Sequence, residues 1–444
     1  MNTNDTFIVR GLGGRKSLKG TVAMSGAKNA ALKAMCAAVL FDGPMTLKNI
    51  PETDDVYTIA EILVKLGAKV SGLTARSGSA VTKGLTIKID PTGITSTDID
   101  STLAQRMRAS VTLTGPLLAR YGQVTFPAPG GCVIGQRPID LFLSGYEKMG
   151  ASVVVGESAY VITVPKKLNG TEIFFNMQAV GPTETLMQAA VLAKGTTILK
   201  NCALEPEIES IADWLNACGA SISGAGTSTI VIKGTNSKLL SATKAPYVCI
   251  PDRIETGSFL ILGALCAEEL TLNNCRPDHI EALINILRES GADIQTRSQS
   301  IVVRNPAGTG PFKATNVKTH EYPGLATDLQ APLVTLLTQA EGDSTVFETI
   351  YENRFKYTAD LIGLGAAIKP VSQREILVHG PTPLSFNSGA KNLHAHDIRA
   401  GFAVVLAALV AEGTSTIENV HLIDRGYANL EGRLTALGAE VRRV

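Results

Sequence analysis

The stretch ETLMQAAVLAKGTTILKNCALEPEIESIADWLNACGASISGAGTSTIVIKG, Glu184 to Gly234, carries the plan of the whole fold. Its first residues are apolar on nearly every side, the pattern of a helix buried all round. TTILKN from Thr196 reads as a short strand, and a polar stretch then leads into an amphipathic helix with Ile208, Ile211 and Leu215 on one face. That helix runs out at Cys218-Gly219-Ala220, where glycine readily takes the left-handed conformation that caps a helix C-terminus. Alternating residues from Ser221 give one or two further strands with turn residues between them. Outward from this unit, Gly-Ala after Leu, Met, Cys or Ser recurs with its glycine at Gly67, Gly150, Gly219, Gly291, Gly365 and Gly438, at intervals of 83, 69, 72, 74 and 73 residues. Six related units therefore fill the chain, the last with its own apolar helix (RAGFAVVLAALVAEG, Arg399 to Gly413) and strand (TSTIEN from Thr414). Helices buried all round belong at the centre of a lobe with the sheets towards solvent. Three helix-strand-helix-strand units per lobe predict a two-lobed α/β architecture with internal pseudo-symmetry.

A chain of 444 residues exceeds one ordinary hydrophobic core, which agrees with two lobes. The repeats divide it into an inserted lobe, residues 29–250 with units one to three, and a discontinuous lobe, 1–28 plus 251–444, with chain crossings near Lys28 and Pro251. With 45% hydrophobic and 18% charged residues and a net charge of +1, nothing points to nucleic acid or a membrane surface, although a local basic pocket remains compatible. Met1 to Arg15 lacks the apolar core of a secretory signal, and no apolar run approaches the ~18 residues of a membrane span, so a cytoplasmic protein is expected. Seven scattered cysteines without a CxxC pair argue against disulfides or a zinc site, and most should be buried as small apolar residues. No GxGxxG opens a helix after a strand, so a dinucleotide fold is not indicated.

One unit departs from its siblings. From the glycine before the first strand to the Gly-Ala glycine there are 24 residues in units one and three, but 28 in unit two, Gly122 to Gly150. The extra residues fall in PAPGGCVIGQRPID, Pro127 to Asp140, a Gly- and Pro-rich loop around Cys132 that reads as a lid or as a tolerated insertion with an incidental cysteine. GGCVIGQRPIDL closely resembles the lid of the UDP-N-acetylglucosamine enolpyruvyl transferases. SGAKNAAL at Ser25, MRASVTLTGPLLARYG at Met107, VGPTETLMQAA at Val180, EPEI at Glu205, IPDRIETG at Ile250, YPGLATDLQAP at Tyr322, ENRF at Glu352, DIRAG at Asp397 and IDRGYANLEGRLTALGA at Ile423 are similar to the same family in the same order, from end to end of the chain. The resemblance implies an inverted α/β barrel of two lobes with three repeats each.

It also implies a reaction: transfer of the enolpyruvyl group of phosphoenolpyruvate to the 3′-hydroxyl of UDP-N-acetylglucosamine, with phosphate released. Both substrates are anions, so fixed cations and backbone donors are required. Lys28 and Asn29 would stand in the opening turn of the first buried helix, started by Ser25 or a neighbour, where free N–H groups favour an anion. Lys28 taken alone reads as a solvated first-turn side chain. Family likeness makes it a contact of phosphoenolpyruvate, and Asn29 a contact of both substrates. Arg137, Arg399 and Arg425 complete the implied phosphoenolpyruvate site, each reading singly as a surface ion pair. Asp424 and Arg425, adjacent in a polar loop, could orient one another.

The resemblance assigns Arg108, Arg137, Pro138, Ile139, Asp140, Leu141, Val180, Gly181, Asp328 and Ile350 to the sugar nucleotide, Ile350 through its backbone. Cys132 becomes the proton donor to the methylene carbon, the site of a covalent phosphoenolpyruvate adduct, and the target of an electrophilic phosphonate epoxide. Its thiol, ordinarily near ~8.5, is protonated at neutral pH, while nearby cations favour the thiolate. Asp328, an ordinary helix cap when read alone, becomes the carboxylate that takes the hydroxyl proton. Lys28 and Arg425 are implied as catalytic with them.

Met177 and Ala179 stand where the family often has lysine and serine, leaving that patch to the backbone groups of Val180 and Gly181. No cofactor is implied, and the six histidines, including His394 and His396, lack a convincing third metal ligand, so a solvent-facing strand pair is the expected role of that HxH. The rivals are another enolpyruvyl transferase of the same fold, acting on a shikimate phosphate, against which the GGC lid argues, or on a different nucleotide sugar from a specialised pathway, and a sugar-nucleotide-binding paralogue without turnover. The sequence leaves the oligomeric state open.

Overall fold

The computed structural model describes residues 5–73, 84–127, 139–306, 310–386 and 392–444. Six helices lie at the centre: Lys28–Ala37, Thr114–Tyr121, Val180–Val191, Arg253–Cys266, Gln330–Leu337 and Ile398–Val410. They are buried on every side; all residues from Ile254 to Cys266, for example, are buried. Each leads into a strand, then an outer amphipathic helix, then a hairpin, as Val180–Val191 leads to Thr196–Lys200, Pro206–Ala217 and the pair Ile222–Ser223 and Thr229–Lys233. The six Gly-Ala glycines all have positive φ, between 93° and 110°. At Gly219, Gly291 and Gly438 no atom crowds a would-be Cβ, so the left-handed backbone, not space, is what calls for glycine there.

Two of the central helices begin in a tighter 3₁₀ turn: Arg108–Leu113 runs before Thr114–Tyr121, and Thr327–Leu329 before Gln330–Leu337. The stretches that carry Arg108 and Asp328 are thus set off from the α-helices that follow them. Pro116 and Pro332 each stand three residues into the α-helix, where the ring excludes the preceding turn's regular hydrogen bond.

The sheets are outside, and each contains a parallel edge pairing beside antiparallel hairpin strands. Thr6–Arg10 lies between Thr414–Glu418 and Glu440–Arg443, so the N-terminal strand completes the last unit. Two edge strands are exchanged. Leu18–Ala23 runs towards the Lys28–Ala37 helix but pairs with Ala267–Asn273, whereas Tyr247–Val248 runs towards Arg253–Cys266 but pairs with Met45–Ile50. The two connections meet where Gly26 bridges Pro251, with Ala27 N donating to Ile250 O at 2.7 Å and Asp252 N to Ser25 O at 2.9 Å. Two apolar cores lie on either side, one built from Ala27 to Cys249, the other from Phe7 to Met24 together with Ile254 to Val441, so Lys28, at the head of Lys28–Ala37, stands with the first core and Asp252 with the second. The six described cysteines are free and buried. No helix among the described residues is long and apolar enough to cross a membrane.

Candidate active site at the lobe crossing

The chain crossing brings the N-termini of two central helices together, and one carboxylate serves both. Asp252 Oδ1 accepts from Ile254 N (2.8 Å) and Glu255 N (3.0 Å), capping its own helix, while Oδ2 accepts from Lys28 N at 3.1 Å in the other lobe. Helix Lys28–Ala37 has no side-chain cap of its own, and Ser25, expected to start it, is engaged with Glu255 through its N–H at 2.7 Å and its hydroxyl at 3.3 Å.

Lys28 is buried, and its ammonium lies 3.2 Å from Asp55 Oδ2. Burial lowers its pKa, Asp55 opposes that, and Arg399 and Arg425 lower it further. Arg425 follows the short helix His421–Asp424 and reaches Asp55 Oδ1 at 2.9 Å, while the neighbouring Asp424 turns to Arg443 at 2.7 Å. Asn29, beside Lys28 in the same first turn, is half-buried.

Asp328 sits in the 3₁₀ turn before Gln330–Leu337, and its side chain caps no helix. Its Oδ1 accepts from Arg354 Nη2 at 2.7 Å, and its Oδ2 lies 3.7 Å from Arg399 Nε. Burial alone would raise its pKa, but Arg354, Arg399 and Lys28 outweigh burial and hold the carboxyl well below its usual range. Arg354 also donates to Thr327 Oγ1. Arg399 is buried at the start of Ile398–Val410, whose cap is Asp397, and stands 5.0 Å over the Tyr427 ring. Its Nη1 is buried without a hydrogen-bond partner among the described residues. Four cations, Lys28, Arg354, Arg399 and Arg425, thus pair directly with two carboxylates, Asp55 and Asp328, while Asp397 and Glu348 also act on Arg354 and Asp252 on Arg399.

The turn holding Ile350 is fixed by Glu348, wholly buried, which accepts from Ile350 N (2.8 Å), Tyr351 N (3.1 Å) and Thr327 Oγ1 (2.8 Å). The Ile350 N–H is spent in this way, which leaves its carbonyl for a backbone contact.

The family model for EPSP synthase (3-phosphoshikimate 1-carboxyvinyltransferase) matches residues 12–434. A UDP-N-acetylglucosamine 1-carboxyvinyltransferase from Koribacter versatilis is 43% identical over 440 residues, 99% of this chain and 96% of that protein. The chain belongs to the UDP-N-acetylglucosamine 1-carboxyvinyltransferases. Solved structures agree in fold. The enolpyruvyl transferase NikO of Streptomyces tendae superimposes with a TM-score of 0.86 at 23% identity, covering 100% of this chain and 99% of that one. EPSP synthase from Acinetobacter baumannii does so at 0.72 and 16%, with 100% of both chains covered.

In this enolpyruvyl transferase the residues expected from sequence are distributed as follows among the elements of the fold. Lys28, Asp328, Arg399 and Arg425 share one charge cluster. Ile139, Asp140 and Leu141 open the helix Asp140–Lys148, and that helix meets Val180 and Gly181, since a Cβ on Gly181 would lie 3.1 Å from the Phe142 ring. Arg108 opens its 3₁₀ turn half-buried. Cys132, Arg137 and Pro138 lie outside the described residues.

Sequence reasoning assigned no part to Asp55, Asp252, Glu348, Arg354 or Tyr427. Arg354, Asp252 and Tyr427 stood in the matching strings ENRF, IPDRIETG and IDRGYANLEGRLTALGA, which was the one available signal; Asp55 reads merely as an acidic first-turn residue of Asp54–Leu66. His394 and His396 are tied to one carboxylate, Asp360, by His394 N at 3.0 Å and His396 Nε2 at 2.7 Å, rather than paired as bare strand residues. No metal-holding group occurs among the described residues.

Proposed function

We infer that the protein transfers the enolpyruvyl group of phosphoenolpyruvate to the 3′-hydroxyl of UDP-N-acetylglucosamine and releases phosphate, the first committed step of peptidoglycan biosynthesis. Full-length identity of 43% to a transferase of that name carries the reading and separates it from the shikimate-phosphate alternative. The cluster at the lobe crossing supports it physically. Lys28, Asn29, Arg137, Arg399 and Arg425 receive the phosphate and carboxylate of phosphoenolpyruvate, the orphaned Arg399 N–H among them. Arg108, Arg137, Pro138, Ile139, Asp140, Leu141, Val180, Gly181 and Ile350 receive the sugar nucleotide, with Asn29 and Asp328 at its sugar.

In the addition step the 3′-oxygen bonds to the carbon bearing the phosphate, its proton passes to Asp328, and the methylene carbon takes a proton from the Cys132 thiol. A carboxylate as acidic as Asp328 is a weak base for an alcohol, so its proton transfer must be concerted with attack, when the hydroxyl has become acidic. Bound phosphoenolpyruvate also neutralises the cations that depress Asp328 and so raises its basicity when it is needed. Elimination reverses the proton traffic. The thiolate recovers a proton from the new methyl group, the carbon–oxygen bond to phosphate breaks, and Asp328 returns its proton to the leaving phosphate. The reaction calls on no cofactor, and both substrates are small molecules of the cytoplasm, where this reading has the protein act. Residues 29–250, with Lys28 at the head of their first helix, form the inserted lobe that carries the lid, and the rest of 1–28 with 251–444 forms the other.

The test is phosphate release from phosphoenolpyruvate with UDP-N-acetylglucosamine, with shikimate 3-phosphate as parallel acceptor and Cys132→Ala as control. Release with the sugar nucleotide alone, abolished by the substitution, is expected. Nucleotide binding without release would leave a sensing paralogue instead.

A further inference from the structure

Asp55 is given no part in the reaction above, yet it touches two residues that are, Lys28 and Arg425. It stands in the first turn of Asp54–Leu66, an outer helix, with its side chain 5% exposed. One oxygen lies 3.2 Å from Lys28 Nζ in its own lobe and the other 2.9 Å from Arg425 Nε in the opposite lobe. Arg399 adds a third cation close enough to lower the Lys28 pKa, and Asp328 is a second carboxylate close enough for Lys28 to lower its pKa. Without an anion among them, Lys28, Arg399 and Arg425 repel one another across the crossing. Asp55 offsets that repulsion through one oxygen per lobe.

We propose that Asp55 is a positioning residue for the transfer reaction, holding Lys28 of one lobe and Arg425 of the other at the spacing that receives the anionic groups of phosphoenolpyruvate, and keeping Lys28 protonated. The proposal rests on the functional reading above. Two physical consequences follow from its place. Because each oxygen serves a different cation, a neutral amide of the same shape loses the charge that both rely on and can accept well from only one of them. Because Lys28 is buried among Arg399 and Arg425, with Asp252 engaged at its backbone N–H rather than its ammonium, removing Asp55 lets desolvation and like charge depress its pKa further. A structural carboxylate elsewhere in the fold would produce neither effect.

The experiment is steady-state phosphate release by the full chain from pH 6 to 10, comparing wild type with Asp55→Asn and Asp55→Glu, alongside the melting temperature of each. In Asp55→Asn, kcat/KM for phosphoenolpyruvate is expected to fall about 10²-fold, as for a misplacement of order 1 Å. KM for UDP-N-acetylglucosamine should stay within about twofold, and the alkaline limb of the profile should move down by about one pH unit. Asp55→Glu, which keeps the charge on a longer arm, should lose rate while its alkaline limb stays near that of wild type. Unchanged kcat/KM and an unchanged limb in Asp55→Asn would overturn the proposal, and so would equal losses for both substrates with a lowered melting temperature and no movement of the limb. If Asp55→Asn does not fold, a limb shifted in Asp55→Glu as far as one unit overturns it as well. Failure of the wild type to release phosphate refutes the assigned reaction instead, and is read before any variant is compared.

Discussion

Asp328 is held as a carboxylate by Arg354, Arg399 and Lys28, against the pull of burial, and the acidity that results sets its working range. Arg354 supplies the shortest of these contacts, 2.7 Å, and is itself buried. In Arg354→Lys the fork that reaches both Thr327 and Asp328 is replaced by a point charge. The folded-state pKa of Asp328 then rises towards the ordinary carboxylate value. Activity that needs ionised Asp328 is lost as pH falls through that pKa, so the acid limb of the kcat/KM profile moves to higher pH; a limb that stays in place would free Asp328 from Arg354. Asp328→Asn keeps the shape but takes no proton, and phosphate release should fall by about 10²–10⁴-fold while calorimetry still detects UDP-N-acetylglucosamine. The sequence left Asp328 open between cap and base. Its oxygens decide against the cap, because they point to guanidinium groups and not to a helix N-terminus. Arg354 was invisible as a partner because a basic residue in a polar string carries no mark of being inside the fold.

Among the elements, what repeats was readable and what bridges repeats was not. Apolar residues on every side marked the six central helices, and Gly-Ala marked the ends of the outer ones, since both signals are local. The cap that Asp252 gives to Lys28 N spans 224 residues and has no local signature. The same holds for Lys33, whose ammonium lies 2.9 Å from Glu184 and so joins helix Lys28–Ala37 to Val180–Val191 within the core. Burial pushes the Glu184 carboxyl up to about 7; Lys33 opposes this, and Glu207 and Glu205 add to it. A carboxyl with a raised folded-state pKa favours the fold most when protonated, below its unfolded value of about 4.3, and that contribution is lost as pH rises to about 7. The melting temperature of wild type relative to Glu184→Gln should therefore decline across that window. Lys33→Met leaves Glu184 buried and unpaired, and should cost about 3–5 kcal/mol in denaturant unfolding, whereas Lys33→Met with Glu184→Leu should recover most of it.

For the whole molecule, two cores are stitched together by exchanged edge strands and a few buried ion pairs. Alternation identifies Leu18–Ala23 as a strand, but the sheet it joins is not encoded in its period. Beside the crossing, Arg253 at the head of one lobe's helix meets Glu207 of the other at 3.0 Å, with both side chains largely buried. Glu205 adds a second negative charge to Arg253, and the Tyr322 ring lies 5.4 Å from the guanidinium. Replacing Arg253 with Met leaves two carboxylates facing one another without their cation, at a cost of about 3–5 kcal/mol concentrated on the contact between lobes rather than within either core. Scanning calorimetry should then show wild type melting in one transition and Arg253→Met in two, one for each core. A ligand that bridges the lobes at about 100 times its Kd adds about 2.7 kcal/mol to the folded state. UDP-N-acetylglucosamine with phosphoenolpyruvate should accordingly draw the two transitions of the variant back together. One transition that moves up while the other stays in place would mean that the substrates bind one lobe alone and that the cations of the other do not reach them.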